Sequence, residues 1–199
     1  SRTSARTEVL AGVSTFLATM YIIVVNPSVL SQAGMPFPAV LTATVLLSCF
    51  CSLMMGLYAR NPIVVAPGMG LNAFFTFTAV KGMGIAYQTA LGAVFWAGIV
   101  FLLLSVFNTR TYIVKAILDF VGSLKFALLP VIFAFVFTDL FDSLSTFVGV
   151  AEAAGLHDET GEPRNVKQSL LTDAVATTLG GLLGTSPGTA YIESAVGVE

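Results

Sequence analysis

Three carboxylates stand in the most apolar parts of this sequence, each placed where it could meet a ligand. Asp139 and Asp142 lie three residues apart in LLPVIFAFVFTDLFDSLSTFVGV, Leu128 to Val150, so a helix sets them on one face. An ionisable group at bilayer depth is costly to keep there and marks a functional position by default. Asp139, which follows LLPVIFAFVF, has the stronger claim. Asp142 could instead be a hydrated residue at a helix end. Ser143, Ser145 and Thr146 could donate hydrogen bonds nearby, with bonding to their own backbone as the alternative. Glu193 follows a Pro-Gly dipeptide in TSPGTAYIESAVGV. If a half-helix begins near Tyr191, Glu193 sits in its first turn, where the helix dipole favours a carboxylate. That would suit a simple cap, but an acid beside unwound backbone in so apolar a setting is expected to face a cavity.

The same dipeptide interrupts an earlier apolar stretch. IVVAPGMGLNAFFTFTAV runs from Ile63 to Val80, and LLGTSPGTAYIESAVGV from Leu182 to Val198. Pro cannot continue a helix and Gly loosens one, so each stretch predicts an extended segment leading into a half-helix. In a membrane, unwound backbone persists only where it is buried in protein or lines a cavity. Paired breaks in corresponding halves of a sequence point to a transporter's binding site. Asn72 is the nearest polar counterpart of Glu193, lying five residues past Pro67 where Glu193 lies six past Pro187; a capping or interhelical hydrogen bond suits it as well as ligand contact. Two carboxylates and free backbone N–H groups suit a planar ligand that carries both donors and acceptors. A carboxyl buried at that depth can also carry a proton, so proton-coupled uptake is the expected driving chemistry. No nucleophile–His pair or Cys/His metal cluster accompanies these residues, and PGMG lacks the Lys-Ser/Thr of a phosphate-binding loop. An enzyme, a metal and a cofactor are not expected.

The elements that must hold these groups are membrane helices. The chain has 199 residues, of which 56% are hydrophobic and 10% charged, with a mean hydropathy of +0.89. No charged residue occurs from Val9 to Ala59, which suits a pair of membrane spans and not a soluble core. The net charge of −2 gives no sign of nucleic acid binding. Cys49 and Cys51 lie on different faces of one helix and read as small packing residues; His157 reads as a solvated loop residue. The start, with Arg2 and Arg6, reads as a first transmembrane helix and not as a cleaved signal. Spans are predicted at 9–30 (ending near Asn26-Pro27), 39–58, the first broken stretch, 87–107, 126–150, 170–183 and the second broken stretch, with a mixed segment over 111–125. Arg2, Arg6, Arg60, Arg110 and Lys115 share the cytoplasmic side if the first span runs outward, with the N-terminus inside and Lys81 as the exception. Continuing the count puts Arg164 and Lys167 outside. An odd number of spans missing between Ile117 and Lys125 would return that loop to the cytoplasm.

The motifs APGMGLNAFF (Ala66 to Phe75), FVFTDLFDS (Phe135 to Ser143) and TSPGTAYIESAVGV (Thr185 to Val198) resemble the AzgA-like nucleobase permeases of the nucleobase–cation symporter-2 family. STFLATMYIIVVNP (Ser14 to Pro27) is similar to the first span of that branch. The resemblance implies an all-α polytopic plasma-membrane protein that takes up hypoxanthine, guanine or adenine with protons. It implies the core domain of a 7+7 inverted repeat, with two discontinuous strand/half-helix segments crossing at the substrate. Asp139 and Glu193 stand where the family's substrate-binding carboxylates stand, and the segment at Asn72, Ala73, Phe74 and Phe75 forms the opposing side, with Thr189 and Ala190 in the second break. Proton coupling is expected from Asp139, Glu193 or Asp142. On this resemblance residues 1–117 hold segments one to four, and residues 118–199 hold segments eight, nine and the start of ten. Segments five to seven and the gate domain have no counterpart. The expected partners are a purine nucleobase, a proton and the lipid bilayer, with self-association into a homo-oligomer through the surface a gate would cover. The competing expectation is a non-transporting membrane scaffold, or a core that needs partner subunits. A channel is disfavoured because the charges form no repeating ring.

Overall fold

A computed structural model describes residues 4–107, 128–158, 161 and 163–197 of the protein. The first span is two helices, α1 (Ala5–Thr19) and α2 (Ile22–Ser31). The expected outer bound at Leu30 falls one residue short of the end of α2 at Ser31, but Asn26-Pro27 does not end the helix: α2 carries Pro27 in its interior, and the interruption lies earlier, at Met20 and Tyr21. Prolines open α3 (Phe37–Met54), with Pro36 at its N-cap, where a missing N–H is tolerated. A wider π turn, Met55–Ala59, extends α3 until Arg60 adopts the left-handed conformation.

The first broken stretch is strand β1 (Val65–Pro67), a short α4 (Met69–Ala73) and a π-helical continuation, Phe74–Gly82. Then come α5 (Tyr87–Phe107), α6 (Leu128–Ala154) and α7 (Val166–Leu183). α6 reaches past the expected end at Val150, and α7 starts before the expected Leu170. Gly184, at φ +84°, caps α7, and the N–H groups of Gly184 and Thr185 both bond to the Gly180 carbonyl. The second broken stretch is strand β2 (Gly188–Ala190) followed by a 3₁₀ helix, Ile192–Gly197, one residue later than the expected start at Tyr191. The mixed segment at 111–125, the start of the fifth span at Phe126 and the proposed junction at 117/118 lie outside the described residues.

Four helical stretches are long and apolar enough to cross a membrane: Arg6–Ser31, Phe37–Ala59, Tyr87–Val106 and Leu128–Ala154. The chain is therefore a multi-pass, mostly helical membrane protein. Their outer faces carry exposed Val9, Leu10, Phe16, Leu46, Phe50 and Trp96, the surface that hydrocarbon demands. α5 and α7 pack most intimately. A Cβ on Gly98 would strike Thr178, and one on Gly181 would strike Phe95, so the two backbones approach as small residues allow. Phe75, Val94 and Phe135 centre one buried cluster, and Leu47, Phe101, Phe147 and Leu170 centre another.

The side taken by the polar loop is fixed by contacts. The Arg164 guanidinium donates to the Arg60 carbonyl at 3.0 Å, Asn165 Nδ2 donates to the Ala59 carbonyl at 3.0 Å, and Asn61 Nδ2 donates to the Arg164 carbonyl at 3.1 Å. The loop after α6 thus lies at the same end of the bundle as Arg60. The second half of α5 belongs there too, since Phe101 shares a buried cluster with Ala59, Ile63 and Leu170. The start of α6 belongs to the other cluster, where Val131 is buried together with Ala79 and with Ala90 from the start of α5. The two helix ends flanking residues 108–127 are therefore on opposite sides.

Candidate functional site

The two broken stretches meet. β1 and β2 pair antiparallel, with Val65 opposite Ala190, Ala66 opposite Thr189 and Pro67 opposite Gly188. Two further bonds extend the ribbon at its ends, Tyr191 N–H to the Val64 carbonyl at 3.0 Å and Gly68 N–H to the Pro187 carbonyl at 2.9 Å. A two-stranded ribbon inside a helical bundle leaves outer edges that no water can satisfy, so side chains must do it. Ser52 of α3 accepts from Val65 N–H at 3.1 Å and donates to the Val65 carbonyl at 3.2 Å. Ser194 accepts from Val64 N–H at 2.9 Å, and Thr177 of α7 donates to the Gly188 carbonyl at 3.0 Å. The Tyr191 hydroxyl donates to the Pro67 carbonyl and locks the second break onto the first. Buried Asn26 holds the approach to β2: its Nδ2 donates to Thr44 at 2.6 Å and Thr185 at 2.9 Å, and its Oδ1 accepts from Ser186 at 3.4 Å.

Carboxylates gather around β2. Asp139 is fully buried on α6; its Oδ2 accepts from Thr177, and its Oδ1 has no hydrogen-bond partner. One turn on, Asp142 is exposed, and its Oδ2 lies 3.3 Å from the Thr189 hydroxyl. Asp173 of α7 is also fully buried; its Oδ2 accepts from Ser143, and its Oδ1 is likewise unpartnered. Half-buried Glu193 accepts from the Tyr21 hydroxyl at 3.1 Å. Among the described residues no Lys or Arg side chain pairs with any of these four acids. A ligand with N–H donors would therefore supply hydrogen bonds that the two orphan oxygens lack.

The first break contributes differently. Asn72 is fully buried, its Nδ2 touches only Met69 Sδ at 3.7 Å, and its Oδ1 is unpartnered. The backbone at Ala73 to Phe75 was expected to face the ligand, but it lies inside a helix that already starts at Met69: Phe74 N–H bonds to the carbonyls of Gly70 and Leu71. The free first-turn N–H groups are those of Met69, Gly70 and Leu71. Phe75 is buried in the core, and Phe74 stacks edge-on against Phe135 at 5.1 Å. Ala190 is buried in the second core cluster. Cys49 is exposed and Cys51 buried, so they do face different ways, and His157 pairs with Glu152 at 3.3 Å in its exposed loop.

Asp173 and Asn26 escaped the sequence reading. Asp173 obeys the same rule that singled out Asp139, an acid within an apolar segment, and Thr177 one turn on repeats the pattern. Asp173 lies only three residues past the expected span start at Leu170, where a hydrated acid is ordinary, so its type and position alone do not single it out. A cavity of about 340 Å³ opens next to β1 between α1, α2 and α3, lined by Phe16, Met20, Ile23, Cys49, Val64 and Ala66 among others. Its walls are apolar and hold none of the four acids.

Comparison with known proteins bears on what such a cluster does. The sequence profile of the Permease family matches residues 6–122 and again 117–199. Adenine permease AdeP of Escherichia coli is 32% identical over 299 residues, covering 99% of this chain and 67% of its own length. Guanine/hypoxanthine permease PbuO of Bacillus subtilis is 31% identical over 305 residues, covering 99% of this chain and 70% of its own. Nucleobase transporter PlAzg2 of Paenibacillus larvae is 49% identical over 100 residues, half of this chain and 20% of that protein. The chain thus spans about two thirds of the length of the first two relatives. Because 299 residues of AdeP stand against 199 here, about a third of that stretch has no counterpart in this chain.

Proposed function

The chain belongs to the Permease family, and from that premise we propose that it is the core of a purine nucleobase carrier of the plasma membrane. The observation that carries this reading is the crossing of the two breaks. β2 is gripped on one side by β1 and flanked by the acids of α6 and α7, while Glu193 follows it within one turn. In this reading Asp139 and Glu193 accept N–H groups of the purine, and Asn72 with the first-turn N–H groups of α4 meets its carbonyl or ring nitrogens. Phe74, Thr189 and the backbone at Ala190 complete the surround, with Ala73 and Phe75 supporting it through the helix.

Proton coupling is supported by a count of hydrogens at Asp139. The Thr177 hydroxyl has one hydrogen and two acceptors within reach, Asp139 Oδ2 and the Gly188 carbonyl. Both contacts become hydrogen bonds when Asp139 carries a proton, which it donates to Thr177 while Thr177 donates to Gly188. A proton on Asp139 therefore tightens β2 against α7, and its loss frees an acceptor for the purine.

Residues 1–117 and 118–199 read as two pieces of one core, segments one to four and eight to ten of the family fold. The opposite-side placement of the helix ends at Phe107 and Leu128 supports an odd number of absent spans between them, as does the unmatched third of the AdeP stretch. Alternating access needs one bundle moving against another. This favours a second reading, a core that binds but moves substrate only with a partner. Calorimetric titration of the purified chain with hypoxanthine, guanine, adenine and uracil tests the site. Saturable heat with a purine, lost in Asp139→Asn and Glu193→Gln, is expected; no heat, or unchanged heat in both variants, would refute it. Purine uptake into vesicles with and without a protonophore separates the rest. Uptake abolished by the protonophore supports the symporter, undiminished uptake excludes the proton as driver, and binding without uptake supports the partner-dependent core.

A further inference from the structure

Four side chains form an unbroken line from the exposed edge of this site into the protein. Asp142, exposed, has Oδ2 at 3.3 Å from Thr189 Oγ1. Thr189 Oγ1 lies 3.0 Å from Ser143 Oγ, and Ser143 Oγ meets Oδ2 of the fully buried Asp173. A hydroxyl owns one hydrogen, and an ionised carboxylate owns none. Three contacts thus share two hydrogens. With both carboxylates ionised, Thr189 donates to Asp142 and Ser143 donates to Asp173, and the two hydroxyl oxygens face each other with no hydrogen between them. One carboxyl proton completes the line, and it does so from either end. Placed on Asp142, it orients every hydroxyl inward; placed on Asp173, it orients every hydroxyl outward.

We infer that Asp142, Thr189, Ser143 and Asp173 form a one-proton relay, with Asp173 as the buried store and Ser143 as the link. The inward step balances. The Asp142 O–H bond breaks as Thr189 Oγ1 takes its hydrogen, Thr189 passes its own hydrogen to Ser143, and Ser143 passes its own to Asp173 Oδ2. A carboxylate is left at Asp142, a carboxylic acid forms at Asp173, and both hydroxyls are restored. The other titratable groups around the line are Asp139 on α6, Cys51 on α3, and Tyr191 and Glu193 beyond β2; none is a cation. Thr189 is the residue of β2 opposite Ala66 of β1, so any movement of the crossing stretches or closes the middle contact. The use of the relay in transport rests on the proton-coupled reading above, but the hydrogen count stands apart from it.

The test is infrared spectroscopy of the carboxylic-acid C=O stretch of the chain in lipid vesicles, which needs no ligand. A protonated-carboxyl band is expected in the wild type and is expected to fall equally in Asp142→Asn and Asp173→Asn, because an amide N–H at either end supplies the third hydrogen. A band unchanged in both variants, or lost only in Asp173→Asn, overturns the relay. Ser143→Ala should cut the line, so that the band no longer responds to Asp142→Asn; Ser143→Thr, which keeps the hydroxyl, should restore that response and controls for folding. Adding hypoxanthine then separates the two ideas. Failure to bind it refutes the nucleobase site and leaves the band result standing, whereas binding with a wild-type band that neither Asp142→Asn nor Asp173→Asn diminishes refutes the relay alone.

Discussion

The two broken stretches share a Pro-Gly frame and a strand of three residues, yet they carry opposite kinds of side chain. After β1 the chain is helical at once and buries Leu71 and Phe75 in the core, leaving Asn72 as its one fully buried polar group before Thr76. After β2 come Tyr191, Glu193 and Ser194, each bonded to a different element: Pro67 of β1, Tyr21 ahead of α2, and Val64. In the proposed site the first break is a platform and the second a reader. A backbone frame alone therefore does not define a site; the difference comes from which break holds groups that can change charge or direction of donation.

That asymmetry can be attacked in order of expected effect. Gly188→Ala in the second break puts a Cβ 2.6 Å from the Ala176 Cβ of α7, which cannot swing aside. A loss of about 3 kcal/mol, read as a lowered thermal unfolding midpoint, is expected. Gly68→Ala in the first break meets the Thr189 methyl at 2.8 Å and should cost less, about 1–2 kcal/mol. Equal costs would remove the distinction between a rigid and a yielding neighbour. Glu193→Gln should weaken purine binding by about 1.5–3 kcal/mol, roughly 10- to 100-fold, and Asn72→Ala by about tenfold or less, since only the former removes a charged acceptor. A larger loss at Asn72 in calorimetry would reverse the roles of the two breaks. Tyr191→Phe removes one hydrogen bond and strands the Pro67 carbonyl, for about 1–2 kcal/mol of stability. Tyr21→Phe, at a residue 41% exposed, should change stability by about 0.5 kcal/mol or less.

Much of this arrangement was legible in the residues. Pro67 and Pro187 fixed where helix must stop, and the apolar run before Asp139 marked it as a buried acid. α5 starts at Tyr87 as expected, because the turn Lys81-Gly82-Met83-Gly84 comes shortly before it and the helix that follows carries no charge. What failed to show depends on pairing across the chain. Pro27 looked like a helix end, but α2 accommodates it within Ile22–Ser31. Ala73 to Phe75 looked like free backbone because the helix start at Met69 could not be told from a later one. Asp173 acquires meaning only once α7 lies against α6 and Ser143 faces it.

The crossing itself is the claim on which the site depends, and it has a direct test. Val65 and Ala190 face each other between the bonded pairs of the ribbon. In an antiparallel sheet such a non-hydrogen-bonded pair brings its Cα atoms to about 4.5 Å, within disulfide range. With Cys49 and Cys51 replaced by serine, the double variant Val65→Cys/Ala190→Cys in membranes should cross-link readily under mild oxidation. The off-register Ile63→Cys/Ala190→Cys, two residues away along the first break, should not. Cross-linking no faster in the first variant than in the second would contradict the antiparallel crossing and the site built on it.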